Sequence, residues 1–135
     1  MHWDNPTPVV AAVVEHDGAV VLVRNKGWPE KVFGLVTGFL ERGEAPEDGV
    51  LREVREELGL AGRVAGLIGV YPFFEMNQIL VAYHVVAQGE VVIGDEIAEF
   101  RRIPPGKLRP WTMGTGPAVR DWLERRAAGL EPVAP

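Results

Sequence analysis

Residues 38–60 read GFLERGEAPEDGVLREVREELGL. Within them Gly38, Glu44, Arg52, Glu53, Glu56, Glu57 and Gly59 fall at the spacing G-x5-E-x7-R-E-U-x-E-E-x-G-U, with Val54 and Leu60 as the aliphatic positions U. The stretch divides in two. Up to Glu44 it is broken by glycine and reads as a loop. From about Ala45 the pattern turns helical: Pro46 suits a first turn, Glu47 and Asp48 suit the positive end of a helix, and Gly59 suits a left-handed cap after Leu58.

A helix over these residues separates packing from chemistry. At about 100° per residue with Glu53 as zero, Glu57 lies at about +40° and Glu56 at about −60°, so three carboxylates share one face. Leu51, Val54 and Leu58 fall between about 100° and 160°, an apolar stripe for anchoring the helix on a sheet. Two carboxylates about 6 Å apart repel by roughly 2–3 kcal/mol at an effective dielectric near 20, so the cluster calls for a neutralising partner. Mg2+ or Mn2+ meets that need, because hard cations take oxygen ligands and bridge phosphate oxygens. Arg52 projects next to Glu56 and can reach back to Glu44, which would hold the acids in position and joins it to the catalytic set. Gly49, one turn before Glu53, leaves the face uncrowded. Gly38 would let the backbone approach the metal, with its carbonyl a candidate ligand. Glu44 and Gly59 are read as structural support.

Outward from this segment, Pro8–Glu15 and Ala19–Val23 are apolar, β-branched runs joined at Asp17-Gly18, the pattern of a hairpin buried on both faces. Further strands are expected at Lys31–Thr37, Arg63–Tyr71, Gln78–Ala87, Glu90–Ile93 and Phe100–Ile103. A second helix is expected over Pro117–Ala128, with Val119, Trp122 and Leu123 inward and Gly129 ending it. Residues 129–135 read as a frayed tail of a single domain spanning 1–135, with its core at about 8–128. Strands, a helix, more strands and a closing helix make a mixed α/β fold class.

The 135 residues are 47% hydrophobic, enough for one buried core, and carry 19 acidic against 14 basic side chains for a net charge of −5. A net negative chain without a basic block is not expected to attract nucleic acid. The sequence has no cysteine, which suits a reducing compartment and leaves only oxygen or histidine ligands for a metal. No long apolar run or leader pattern is present, so a cytoplasmic protein without a membrane partner is expected.

The 23-residue pattern resembles the Nudix hydrolase family. The resemblance implies an α/β/α sandwich around a mixed sheet, Glu53, Glu56 and Glu57 as metal ligands, and water-mediated hydrolysis of a pyrophosphate bond in a small nucleoside diphosphate linked to a moiety X. Family members often use a further carboxylate from outside the box; among Asp95, Glu96 and Glu99 we favour Glu96, as ligand or base. Leu35–Glu41 is similar to the NADH pyrophosphatase branch, whereas residues 70–78 match that branch's post-box motif only loosely and its zinc-binding cysteines are absent. Tyr71, Phe74 and Asn77 are the candidate substrate-binding residues, the rings for stacking and the amide for a polar base edge. Trp28 and Trp111 read as buried packing, with cleft coverage the alternative. His84 reads as a strand histidine. The resemblance also leaves a homodimer to be tested, and two other activities: a nucleotide-sensing domain with little turnover, or hydrolysis of RNA caps or nucleoside triphosphates.

Overall fold

The computed structural model describes residues 4–129. Six strands form one mixed sheet: β1 (Thr7–His16), β2 (Ala19–Asn25), β3 (Val36–Phe39), β4 (Ala61–Phe73), β5 (Gln78–Gln88) and β6 (Ile97–Ile103). Helix α1 spans Pro46–Leu58 and α2 spans Gly116–Ala127. The order is β4-β5-β1-β2-β6, with β3 also paired to β1. β1 lies parallel to β5 along its whole length, from Thr7 opposite Gln78 to His16 opposite Ala87. Its other edge is shared: Val9–Ala12 pair with β3 and Val14–His16 with β2, both antiparallel. This division opens the sheet between β2 and β3, bridged again, among the described residues, where Val23 meets Gly34.

The hairpin forms at the expected place because Asp17 (φ 50°) and Gly18 (φ 80°) both take the left-handed conformation of a two-residue type I′ turn. Period-two alternation along β1 then feeds two cores. Val10, Ala12 and Val14 pack with Val50, Val54 and Leu58 of α1, while Ala11 and Val13 pack with Ala118, Val119 and Trp122 of α2. Each fully buried Val or Leu contributes about 1.5–3 kcal/mol, which makes these two layers the main hold of the sandwich. In α1 the stripe's first fully buried side chain is Val50, and Leu51 is only half-buried. Leu123 likewise is a half-buried member of the α2 layer.

The expected strand over Lys31–Thr37 is replaced by a turn, in which Val32 N–H donates to Pro29, and by the shorter, later β3. β1 offers β3 only the four positions Val9–Ala12, which limits its length. Glu90–Ile93 is not a strand either. Its neighbourhood docks on the end of α1, Val92 N–H donating to the Leu58 carbonyl (2.8 Å) and Gly94 N–H to the Glu57 carbonyl (3.0 Å). These bonds satisfy helix-terminal acceptors that would otherwise lack partners. β6 starts at Ile97, three residues before the expected Phe100. Apart from Gly129, the expected tail lies outside the described residues. Among the described residues no helix is long and apolar enough to cross a membrane.

Candidate active site

α1 begins at Pro46 without a side-chain cap, carries Glu47 and Asp48 in its first turn, and ends on Gly59 at φ 68°, whose N–H donates to the Arg55 carbonyl. That left-handed turn drops Leu60 into the core beside Leu58 and fixes the rotation of the helix. Val50 projects beside Glu57, so anchoring the apolar stripe draws Glu57 inward with it; the residue is 8% exposed. Burial, a hydrogen bond with Glu53 and the charges of Glu53, Glu96 and Glu56 push the Glu57 pKa up to about 9.

Arg52 is the hub of the surrounding acids. Its Nε donates to Glu44 Oε2 (2.8 Å) and its Nη2 to Glu44 Oε1 (2.9 Å), a two-pronged pair. Nη1 donates to Glu53 Oε1 (2.8 Å) and Glu56 Oε2 (3.3 Å), Nη2 also reaches the Phe39 carbonyl (3.0 Å), and Glu41 Oε1 lies 2.9 Å from Nε. Glu44 in turn accepts the Glu41 backbone N–H (3.0 Å). The Arg52 guanidinium beside Glu44 holds that carboxyl down to about 2, with the backbone bond helping. The guanidinium therefore ties the loop after β3 to α1 while orienting two acids of the helix.

Two glycines make this closeness sterically available. A Cβ on Gly38 would lie 2.0 Å from the Glu53 carboxyl carbon, so the absence of a side chain there makes room for Glu53 itself. A Cβ on Gly94 would lie 2.3 Å from the Glu56 carbonyl, so glycine lets the loop carrying Asp95 and Glu96 close on α1. Gly49 differs from expectation. Its Cβ would meet Leu40 Cδ2 at 2.6 Å and Glu44 Oε1 at 3.0 Å, so it admits the loop before the helix and does not clear space for the acid face.

Glu53, Glu56, Glu57, Asp95 and Glu96 together line a pocket of about 170 Å³. Glu53, Glu56 and Glu96 also line a larger cleft of about 870 Å³, so the acids stand at the junction of the two. The donor set, all carboxylate oxygen with one buried high-pKa acid, fits a hard divalent cation. As the side chains stand, no three acidic or histidine groups among the described residues converge on one point, because Glu53 and Glu56 turn toward Arg52. Holding a cation would take rotation of those two side chains.

The larger cleft is walled by Trp28, Phe33, Phe39, Phe73, Trp111 and Met113, with Asn25, Lys31, Thr37, Gln78 and Thr115 as polar groups. The expected substrate-binding residues stand elsewhere. The Tyr71 hydroxyl donates to Asp121 Oδ2 of α2 (2.6 Å), and burial with that bond pushes its pKa up. Asn77, at φ 51°, donates from its amide to Asp4 (3.1 Å), and Phe74 is 84% exposed outside the cleft lining. Tyr71 and Phe73 share a face of β4 by alternation; α2 covers the first and the cleft opens at the second. Trp28 and Trp111, read from sequence as packing, line the cleft; their place in loops rich in glycine and proline was the available signal. His84 pairs with Glu15 (2.8 Å) against the Trp122 ring, away from the acids.

The NUDIX domain family model matches residues 5–123. The NAD-capped RNA hydrolase NudC of Mycobacterium bovis (strain BCG / Pasteur 1173P2) is 40% identical over 95 residues, 69% of this chain and 28% of that protein. The chain thus matches under a third of that relative's length. The ADP-ribose pyrophosphatase of Methanocaldococcus jannaschii is 35% identical over 126 residues, covering 88% of this chain and 74% of that protein. Both relatives are consistent with the partial likeness to the NADH pyrophosphatase branch. Among solved structures, a Nudix hydrolase from Nitrosomonas europaea has a TM-score of 0.80 at 22% identity, covering 98% of this chain and 78% of that one. The Nudix domain of Shewanella oneidensis NrtR, solved with ADP ribose, has a TM-score of 0.75 at 18% identity, covering 92% and 90%. These structural likenesses concern the fold, the α/β/α sandwich described above. With the complete 23-residue pattern running from β3 through α1, that sandwich around it and a family match across most of the residues, the chain belongs to the Nudix family.

Proposed function

We propose that the chain hydrolyses the pyrophosphate bond of a nucleoside diphosphate linked to X, in the class of ADP-ribose and dinucleotides, with Mg2+ or Mn2+ as cofactor. The observation that carries this reading is the junction of the acidic pocket with the aromatic cleft through Glu53, Glu56 and Glu96. A substrate spanning that junction would set its phosphates beside the carboxylates and its organic ends in the cleft. The names of the two sequence relatives, one acting on NAD-capped RNA and one on ADP-ribose, support the substrate class.

In this reading Glu53, Glu56, Glu57 and Glu96 would hold the cation, with the Gly38 carbonyl a further candidate. A bound divalent cation lowers the pKa of water and offsets phosphate charge. Glu57, whose pKa is pushed up to about 9 by burial and the neighbouring acids, would have to give up its proton to serve as a ligand. Arg52 offsets the charge of Glu53 and Glu56 and would release them to a cation, and Glu96, on the facing loop, is the candidate base for the attacking water. Lys31 is the one cation among the cleft-lining residues and is available to a phosphate or carboxylate of X.

The test incubates the protein with Mg2+ and ADP-ribose, NADH, nucleotide sugars, dinucleoside polyphosphates or nucleoside triphosphates, and identifies the products. Glu56→Gln and Glu57→Gln serve as controls. A nucleoside monophosphate and phospho-X are expected, with turnover lost in both variants. Tight, metal-independent binding of one compound without turnover of any would replace the hydrolase reading with a nucleotide-sensing one.

A further inference from the structure

Glu96 reaches the acids across an irregularity in the sheet. Arg24 lies opposite Glu99 and Asn25 opposite Ile97, so Ala98 has no partner on β2 and forms a β-bulge. Strand alternation counted back from Phe100, which packs on the α1 side, would put Ala98 on that side and turn Ile97 away. The bulge reverses this order. Ile97 is 2% exposed in the core shared with α1, and Ala98 is only half-buried.

The residues before the bulge are gripped on both sides. Gly94 N–H donates to the Glu57 carbonyl (3.0 Å), Ile97 N–H closes a turn on the Gly94 carbonyl (3.1 Å), and Lys26 N–H donates to the Glu96 carbonyl (2.9 Å). Beyond the bulge, Arg24 Nε donates to Glu99 Oε1 (2.9 Å) and fixes the sheet side. Glu96 is thus held between α1 and the end of β2, where it lines both the acidic pocket and the cleft. A regular ladder would move Ala98 to the place of Ile97 and carry Glu96 about 3.3 Å along the strand, with its side chain on the opposite face. It would also bring Asp95 to the place of Gly94, where a Cβ lies 2.3 Å from the Glu56 carbonyl oxygen.

We infer that Ile97 is the positioning residue for Glu96: its burial selects the bulged register, and the bulge presents the carboxylate to Glu53, Glu56 and Glu57. The inference rests on the hydrolase reading for its link to turnover. The device is the order of two neighbours, an isoleucine before an alanine.

The test exchanges the two residues. Ile97→Ala combined with Ala98→Ile keeps the composition while favouring the regular ladder, so the isoleucine stays buried and Glu96 leaves the pocket. With Mg2+ and ADP-ribose, kcat should fall about 100-fold, the cost of a misplacement of 1 Å or more, with KM within about threefold of wild type. Adding Glu96→Gln should cost nothing further, and Ile97→Val, which keeps the preference, should retain kcat. Amide hydrogen exchange gives a readout without turnover. In the double variant the Gly94 and Lys26 protons should exchange roughly 10-fold faster, the worth of the lost bonds, while those of β1 keep their protection. If the double variant does not fold, Ile97→Ala decides, since alanine then stands at both positions and the same two protons should quicken relative to β1. A double variant that melts lower yet keeps kcat and slow Gly94 and Lys26 exchange shows that the turn sets the register, and overturns the inference. If Glu96→Gln alone leaves turnover intact, the base reading of Glu96 fails, and the exchange rates still decide the role of Ile97.

Discussion

Gly38→Ala offers the sharpest separation between holding the fold and holding the site. The added Cβ would lie 2.0 Å from Glu53 Cδ, 2.2 Å from Oε1 and 2.5 Å from Cγ, and an ordinary contact begins at 3.4 Å. The carboxyl carbon must therefore retreat by about 1.4 Å. The obstacle is a side chain, so Glu53 can swing away while β3 stays paired to β1 at Val10 opposite residue 38. The swing breaks the Arg52 Nη1–Glu53 Oε1 contact, a pair 22% and 13% exposed, worth about 1 kcal/mol. Alanine in a strand recovers part of that through the smaller entropy of its unfolded chain, leaving Tm within roughly 4 °C of wild type. The chemistry is less forgiving: Glu53 must turn from its present position to reach a cation, and a Cβ at residue 38 takes up space that this carboxyl needs; since a 1 Å misplacement costs about 100-fold, or about 2.7 kcal/mol, kcat/KM should fall to about the hundredth part. The assay pairs thermal melts with steady-state kinetics on ADP-ribose across a Mg2+ titration. Because alanine keeps the backbone carbonyl, a variant with kcat/KM within about threefold of wild type would refute the steric argument and leave only the carbonyl role for Gly38.

Three further outcomes follow from the same geometry. Glu57, raised to about 9, contributes stability that is complete below the ordinary carboxylate pKa and is lost as pH rises through about 9, at a slope of at most about 1.4 kcal/mol per pH unit. Melts without Mg2+ should drop between pH 5 and pH 9 by more than those of Glu57→Gln, and added Mg2+ should restore stability most at the alkaline end, where no proton has to be displaced. Glu44 has the opposite sign: held down to about 2 by Arg52, it stabilises above the ordinary carboxylate pKa and loses that effect as pH falls toward 2, so Glu44→Gln should flatten the acid limb of the stability curve. Tyr71→Phe removes the 2.6 Å bond to Asp121 and should cost about 1–3 kcal/mol in urea denaturation while leaving KM for ADP-ribose unchanged; a raised KM would return Tyr71 to the substrate site.

The parts of the fold legible in the sequence share one property: their signals are local. Asp17-Gly18 takes two left-handed conformations because few residues do so readily, and Gly59 ends α1 for the same reason. The unbroken apolar run at Pro8–Glu15 foretold burial on both faces, and both layers use it. The failures were non-local. Glu90–Ile93 has the apolar pattern of a strand, but the open carbonyls at the end of α1 take up the N–H groups of Val92 and Gly94. Lys31–Thr37 lost its first half as a strand because β1 has only a short free edge for β3 beside β2.

For the candidate site the division runs along the same line. A single helix carries Arg52, Glu53, Glu56 and Glu57, so helical periodicity alone put the acids on one face and the anchoring residues on another. The sequence by itself therefore determined the family and the grouping of the acids on one helix. Periodicity did not reveal that Glu57 is drawn under the surface, that Gly38 is vacant for Glu53, or that Gly94 brings Glu96 up to α1, since each depends on how closely separate segments approach. Nor did it separate Phe73, in the cleft, from Tyr71, under α2: the two share a strand face, and only the position of α2 over the sheet decides which is covered. The cleft is assembled from strands, loops and one helix far apart in the chain, and its residues could be recognised only once the tertiary structure had brought them to one place.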